Sequence, residues 1–115
     1  MASEEPNPGN AFGTWLREQR TQRGEPIRVV AAAAEMDQAA LSKIELGKRW
    51  PTSEQVAAFA KHFGIEYREV QKRMYAARMW AECGPDDPGL AVAVAEQVQE
   101  DAAEYGVNKS VRKKK

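Results

Sequence analysis

The sequence predicts an all-α protein with five or six helices, and three observations support this fold class. Alanine, the best helix former, occurs 19 times, while the β-branched residues Val, Ile and Thr together occur 15 times. No stretch alternates apolar and polar residues for long, as a strand with one buried face would. Glycines follow helix-compatible runs at positions where a left-handed residue commonly ends a helix, namely Gly24, Gly47, Gly64 and Gly106.

The first three predicted helices are short. The first covers about 10–23 and has an apolar side formed by Phe12, Trp15 and Leu16. The second runs from Pro26 to about Ala34, because proline suits the first helical position, where its missing N–H costs nothing. The third begins after Asp37, an N-cap residue, and ends before Gly47.

Three further helices are predicted. Thr52 and Gln55 have the spacing of a capping box and open the fourth, whose apolar positions recur three and four apart at Val56, Phe59, Ala60 and Phe63. The fifth covers about 67–81, and its core face is expected to include Tyr67, Val70 and Met74. Turn-forming residues at 83–89 then precede a sixth helix, about 90–105, with a narrow apolar stripe of Ala91, Val94, Val98, Ala102 and Tyr105.

The formal net charge of zero is a cancellation between regions of opposite sign. Residues 10–80 hold 12 basic and 8 acidic residues, whereas 81–108 hold seven acids and no base, and 109–115 hold five bases. We therefore divide the chain into a flexible N-terminal segment (1–9), a compact domain (10–81), an acidic linker with a C-terminal helix (82–108) and a basic tail (109–115). Because the charge is segregated, the pI near 6.6 does not argue against a nucleic-acid-binding face.

The composition argues against several functions. The longest aliphatic run, Val29–Ala34, is far shorter than the ~20 residues that cross a bilayer, and the N-terminus lacks a signal-peptide pattern. We therefore expect no membrane association and a cytoplasmic location, which a lone thiol, Cys83, also fits. With one cysteine and one histidine, His62, we expect no metal site, no cofactor, no catalytic residues and no enzymatic activity.

The most informative segment is 27–45, a short helix, a tight turn and a second short helix that starts with small and amide side chains. Together with LREQR at 16–20 and LSKIELGKRWP at 41–51, it resembles the helix-turn-helix of the phage repressor and Cro-like (XRE) family. The resemblance covers about 10–75. It implies that 10–81 is a five-helix repressor-like DNA-binding domain, with the sixth helix as an addition, and that the protein binds double-stranded DNA in a sequence-specific manner to regulate transcription.

The resemblance also assigns an ion pair and identifies two departures from the family. Arg20 is expected to pair with Glu45 and so tie the first helix to the end of the recognition helix; the alternative is two independent surface charges. Glu35 stands where the family usually has glycine, so a non-glycine residue has to adopt a positive φ. Ile27 stands where the family usually has glutamine, so its phosphate contact is expected to pass to Arg28.

The start of the third helix carries the residues that we expect to read DNA bases: Gln38, Ala39, Ala40 and Lys43. Glutamine can form a bidentate pair with adenine, alanine can touch a thymine methyl, and lysine can reach guanine or a phosphate. Cations near helix ends are the expected phosphate contacts, namely Arg28, Lys48 and Arg49. The alternatives are an ordinary amphipathic core helix with a solvated glutamine and lysine, and solvated surface charge.

One copy of such a domain reads only a few base pairs, so we expect a homodimer that represses transcription from a palindromic operator. Surplus apolar residues on the fifth and sixth helices form the possible dimer interface: Met74, Tyr75, Met79, Trp80, Val94 and Val98. The alternative is that the sixth helix folds back and covers this surface. The alternative function is that of an antitoxin or controller-type protein, whose acidic C-terminal helix binds a protein partner while the domain autoregulates its own promoter.

Overall fold

The computed structural model describes residues 10–106 as six α-helices and a final π-helical turn. The helices are α1 (Ala11–Gln22), α2 (Ile27–Ala33), α3 (Gln38–Glu45), α4 (Ser53–Phe63), α5 (Tyr67–Cys83) and α6 (Pro88–Asp101), and the π-helical turn is Ala102–Gly106. No strand occurs within 10–106, which confirms the predicted all-α class. The predicted flexible segment 1–9 and basic tail 109–115 lie outside the described residues. None of the helices described here has the length and apolar character to cross a membrane.

Side-chain caps define the starts of α3 and α4 as the sequence predicts. Asp37 Oδ1 accepts a hydrogen bond from the Ala40 N–H at 2.7 Å, which satisfies an orphan donor in the first turn of α3. Thr52 Oγ1 accepts from the Gln55 N–H at 3.1 Å, and Gln55 Oε1 accepts in return from the Thr52 N–H at 2.9 Å. The capping box is therefore confirmed. The predicted start of α2 is one residue early, because Pro26 has extended backbone angles and stands at the cap position.

Left-handed backbone ends three of the helices. Gly24, Gly47 and Gly64 have φ of 68°, 78° and 68°, as predicted. Gly106 does not share this conformation, because α6 passes into the π-helical turn instead of ending at a left-handed glycine. Glu35, in the turn between α2 and α3, has φ of 55°, so the expected positive φ at this non-glycine position is confirmed.

Helices α1 to α5 share one hydrophobic core, and α6 lies outside it. The largest completely buried side chains come from all five helices: Phe12, Leu16, Val30, Leu41, Ile44, Val56, Phe59 and Val70. Tyr67, predicted on the core face of α5, is instead 42% exposed, because it is the first residue of that helix and lies at the edge of the packed region.

Helix α6 packs on α5 through its first turns. α5 extends to Cys83, two residues beyond the predicted limit, and the turn that follows lies against its last turns. A side chain on Gly84 would overlap the indole ring of Trp80, so only glycine allows this close approach. Within α6, Ala91 is buried and Val94 is half-buried, whereas every residue from 95 to 106 is exposed.

Candidate nucleic-acid interface

The turn at 34–37 joins α2 to α3 and holds α3 at the surface of the domain. Ala31, at the small site where the two helices meet, is 1% exposed, and its carbonyl oxygen accepts a hydrogen bond from the Met36 N–H at 2.9 Å. Leu41 and Ile44 anchor α3 in the core. The opposite face of α3 is therefore free to contact another molecule.

Three of the four predicted base-reading residues lie on that outer face. Gln38, Ala39 and Lys43 are exposed. Ala40 is 9% exposed, so it lies on the side of α3 that is covered by the protein. Its prediction as a base-reading residue is therefore wrong, and the contact surface at the start of α3 is narrower than expected.

The predicted phosphate-contacting cations lie on either side of this face along the chain. Arg28 is exposed in the first turn of α2, and Lys48 and Arg49 are exposed in the loop after α3. Ile27 packs against the core, which leaves Arg28 as the cation at the start of α2. Within 10–106, none of the three cations forms an ion pair. Their charges are available to an anionic partner.

Arg20 and Glu45 join α1 to the end of α3. Arg20 Nε donates to Glu45 Oε2 at 2.7 Å and Arg20 Nη2 donates to Glu45 Oε1 at 3.0 Å, which is a bidentate arrangement. The side chains are only 15% and 7% exposed. The hydrogen bond with Glu45 raises the pKa of Arg20, so the guanidinium stays charged. The ion pair holds the C-terminal end of α3 against the first helix.

A second contact between the same two helices escaped the sequence reasoning. Gly13 in α1 is buried, and a Cβ at this position would lie 2.6 Å from the carbonyl carbon of Glu45 and would overlap the carbonyl oxygens of Ile44 and Glu45. Only a glycine allows α1 to approach the last turn of α3 so closely. The available signal was a glycine inside an otherwise helical run, where it costs stability relative to alanine.

The loop after α1 is also tied to α4 by a contact that the sequence spacing did not indicate. His62 Nε2 and Glu25 Oε1 are 2.8 Å apart, and Arg23 Nε lies 3.4 Å from Glu25 Oε2. The hydrogen bond with His62, and to a lesser degree the charge of Arg23, lowers the pKa of Glu25. His62 thus has a structural contact, which orients the chain just before α2.

The predicted dimer-interface residues divide into three groups. Met74 is 3% exposed inside the core, because it lies on the same face of α5 as Val70, so its assignment to a dimer interface is wrong. Tyr75 and Val98 are exposed by 53% and 55%. The remaining three are half-buried, namely Met79, Trp80 and Val94.

The arrangement of α2 and α3 is that of a helix-turn-helix DNA-binding protein. A short helix is followed by a tight turn and by a capped second helix, whose first turn presents small and polar side chains. The chain belongs to the helix-turn-helix domain family, because the model of that family matches residues 11–72, more than half of the chain. The predicted class is confirmed.

Two solved structures of the clp gene regulator ClgR from Corynebacterium glutamicum are similar to this chain. One is 27% identical with a TM-score of 0.51, and the match covers 64% of this chain and 95% of that chain. The other is 25% identical with a TM-score of 0.52, and the match covers 88% of this chain and 97% of that chain. A comparison with curated proteins gives no match.

Proposed function

We propose that this protein is a sequence-specific transcriptional regulator that acts as a repressor and binds a palindromic operator as a homodimer. The exposed first turn of α3 is the observation that carries the proposal. It presents Gln38 and Ala39, with Lys43 one turn further on, and the Arg20–Glu45 ion pair fixes the far end of the same helix. The family to which the chain belongs and the similarity to a gene regulator support the same function.

Base reading falls to these three side chains because of their chemistry. The Gln38 amide offers the donor and acceptor that pair with adenine N6 and N7 in the major groove, and the Ala39 methyl fits beside a thymine methyl. Lys43 is long enough to reach a guanine or a phosphate. All three belong to the exposed face of α3, so they can enter one groove together.

The cations on either side of α3 supply the sequence-independent part of the affinity. Arg28, Lys48 and Arg49 are exposed and lie in the first turn of α2 and in the loop after α3, and such helix ends and loops commonly contact phosphates. A homodimer presents each of them twice. Removal of one of these cations therefore removes two phosphate contacts per operator, which should reduce the slope of log K against log salt by about 1.8.

Selection of bound sequences from random double-stranded DNA tests this function. We expect an imperfect palindrome with half-sites about one helical turn apart. On the selected operator, Gln38→Ala and Lys43→Ala should each weaken binding by about 10-fold or more, because a good base contact is worth ~1–3 kcal/mol. The matched controls are Gln22→Ala on α1 and Lys61→Ala on α4, two exposed residues outside the α3 face, which should bind like the wild type.

Two outcomes would each overturn one part of the proposal, either base reading by α3 or the palindromic operator. Equal binding by Gln38→Ala, Lys43→Ala and the wild type at one salt concentration would show that α3 does not read bases. Occupancy of a single half-site by one copy would show that the operator is not palindromic. A promoter fused to the selected operator separates repression from activation, because a repressor lowers its output.

An antitoxin or controller-type protein is the second candidate, and the acidic character of α6 is the observation that favours it. Residues 95–106 are exposed and hold acids but no base. A basic protein partner would bind this segment, and the DNA-binding domain would then regulate its own promoter. Purification of the tagged chain from its native host, with and without residues 88–106, tests whether a stoichiometric basic partner depends on α6.

A further inference from the structure

An open groove between α1 and α5 has an apolar lining with one positive charge. Its volume is about 350 Å³, and its lining includes Phe12, Trp15, Arg73, Ala76, Ala77 and Trp80. The guanidinium carbon of Arg73 lies 4.9 Å from the centre of the Trp15 ring, and its Nε donates to Glu69 at 3.0 Å. The groove therefore suits an apolar segment that carries a negative charge at its edge.

The second half of α6 has the complementary character. Ala95, Val98, Ala102 and Tyr105 recur at intervals of three and four residues and so form one stripe along the helix and the π-helical turn. Val98 is 55% exposed and Tyr105 is 61% exposed. Asp101 lies beside this stripe, where its Oδ1 accepts a hydrogen bond from Gln97 Nε2 at 3.0 Å, and residues 95–106 contain no base to offset its charge. This apolar and acidic face has no covering in its own chain within 10–106.

Helices α5 and α6 also have opposite charges outside the groove. Helix α5 has four exposed basic residues, Arg68, Lys72, Arg73 and Arg78, and two acids, Glu69 and Glu82. The charged residues of α6 and the π-helical turn are all acids, namely Glu96, Glu100, Asp101 and Glu104. Because α5 has four bases against two acids and the second half of α6 has acids but no base, two copies attract each other in the orientation that brings these surfaces together.

We propose that residues 95–106 of one copy dock in the α1–α5 groove of a second copy, and that the second copy returns the same contact. Val98 and Tyr105 then cover the two groove tryptophans, and Asp101 pairs with Arg73. The contact is formed twice about a two-fold axis and closes, so it gives a dimer and not a filament. This inference rests on the homodimer of the proposed function and identifies the surfaces that form it.

Charge reversal tests the reciprocal contact. Arg73→Glu places a carboxylate opposite Asp101 at both contacts, and Asp101→Arg places a guanidinium opposite Arg73 at both contacts. Each variant alone should dimerise about 100-fold more weakly than the wild type, because like charges face each other twice. An equimolar mixture of the two variants can also form a heterodimer.

The arrangement of the heterodimer decides what the mixture should do. One contact joins Asp101 of the first variant to Arg73 of the second, which is the wild-type pair, and the other joins the two introduced side chains, which again have opposite charges. Both contacts are therefore attractive, so a heterodimer should form at the concentration at which the wild type dimerises. Light scattering and co-purification of differently tagged variants measure these states.

A second pair of variants does not disturb the contacts of Arg73 with Trp15 and Glu69. Val98→Glu places a charge in the docked stripe, and Val92→Glu places the same charge on a different side of α6 at a residue that is 59% exposed. Val98→Glu should be a monomer at tens of micromolar, a concentration far above the ~10⁻⁸ M typical of operator binding. Val92→Glu should remain a dimer. Circular dichroism confirms that each variant is folded.

The possible results separate this inference from the proposed function. A wild-type dimer that Val98→Glu leaves intact, or a mixture of the charge reversals that stays monomeric, would overturn the groove contact and leave a homodimer through another surface. A wild-type monomer at tens of micromolar would overturn both the groove contact and the homodimer. Base reading by α3 is tested independently by the Gln38 and Lys43 variants, whatever the oligomeric state.

Discussion

Arg20 of α1 and Glu45 of α3, 25 residues apart in the chain, form a two-bond ion pair that leaves little of either side chain exposed. The pair joins α1 to the C-terminal end of α3. The pair holds α3 in one position, because this helix has only eight residues and its own hydrogen bonds cannot fix where it lies on the domain.

Replacement of Arg20 by alanine should destabilise the fold. The change leaves the Glu45 carboxylate partly buried without its partner, which costs about 3 kcal/mol. Arg17→Ala on the exposed side of the same helix is the control and should change the free energy of unfolding by less than about 0.5 kcal/mol. Urea unfolding of both variants measures the difference. An unchanged midpoint for Arg20→Ala would contradict the structural role of the ion pair.

Gly13→Ala should separate α1 from the last turn of α3. The added methyl would overlap backbone atoms of Ile44 and Glu45, which cannot rotate away as a side chain can, so we expect a loss of about 2–3 kcal/mol. Gly106→Ala is the control, because its Cβ would meet only Ala102 at 3.8 Å. Thermal unfolding compares the two. Equal melting temperatures for Gly13→Ala and the wild type would show that the helices are not in close contact.

Glu35→Gly should stabilise the protein by about 0.5–1 kcal/mol. A left-handed conformation costs a non-glycine residue roughly 1–2 kcal/mol, and relief of this cost exceeds the entropy that glycine loses on folding. Ala32→Gly within α2 is the comparison and should destabilise by about 1 kcal/mol, because its backbone is already helical. Chemical denaturation gives both values. A lower stability for Glu35→Gly would mean that Glu35 makes a compensating interaction.

Glu25 should make stability depend on pH in the acidic range. Its pKa is lower in the folded protein than the ordinary value of 4.5, mainly because of the hydrogen bond with His62. Its contribution is therefore fully present above about pH 4.5 and is lost as the pH falls through the folded pKa. Glu25→Gln should lower the melting temperature at pH 7 and should approach the wild type as the pH falls below the folded pKa of Glu25, which is lower than 4.5.

The control for Glu25 is Glu18→Gln, an exposed acid on α1. Its melting temperature should follow that of the wild type across the same pH range. A difference between Glu25→Gln and the wild type that does not change with pH would assign the contact to packing rather than to charge.

Local sequence signals predicted most of the helix boundaries. Asp37, the Thr52 and Gln55 pair, and the left-handed glycines act through hydrogen bonds or backbone angles within a few residues, so their effect can be read from the sequence. The Arg20–Glu45 pair followed from a family resemblance, since a separation of 25 residues has no local signature. The His62–Glu25 contact has no such motif and was missed.

The depth of burial is where the structure departs from the sequence predictions. Ala40 was expected to face outward as a small side chain in the first turn of α3, and Met74 was assigned to an interface as a surplus apolar residue although periodicity also predicts it on the core face of α5. Tyr67 was placed on that face by periodicity, which gives the direction of a side chain but not the extent of the packing above it. Ala40 and Met74 lie where neighbouring helices cover them, and Tyr67 lies where the core has ended. The depth of a side chain depends on tertiary packing, which a helical period does not contain.

The groove between α1 and α5 also gives the protein an intrinsic optical reporter. The protein has three tryptophans. Trp15 and Trp80 line the groove, while Trp50 packs against the core beside the buried Pro51. Water at the groove shifts indole emission to longer wavelengths, and a covering segment reverses the shift. Two thirds of the indole chromophores therefore respond to whatever occupies this one surface, and a Trp50→Phe variant would leave only those two to be observed without any attached label.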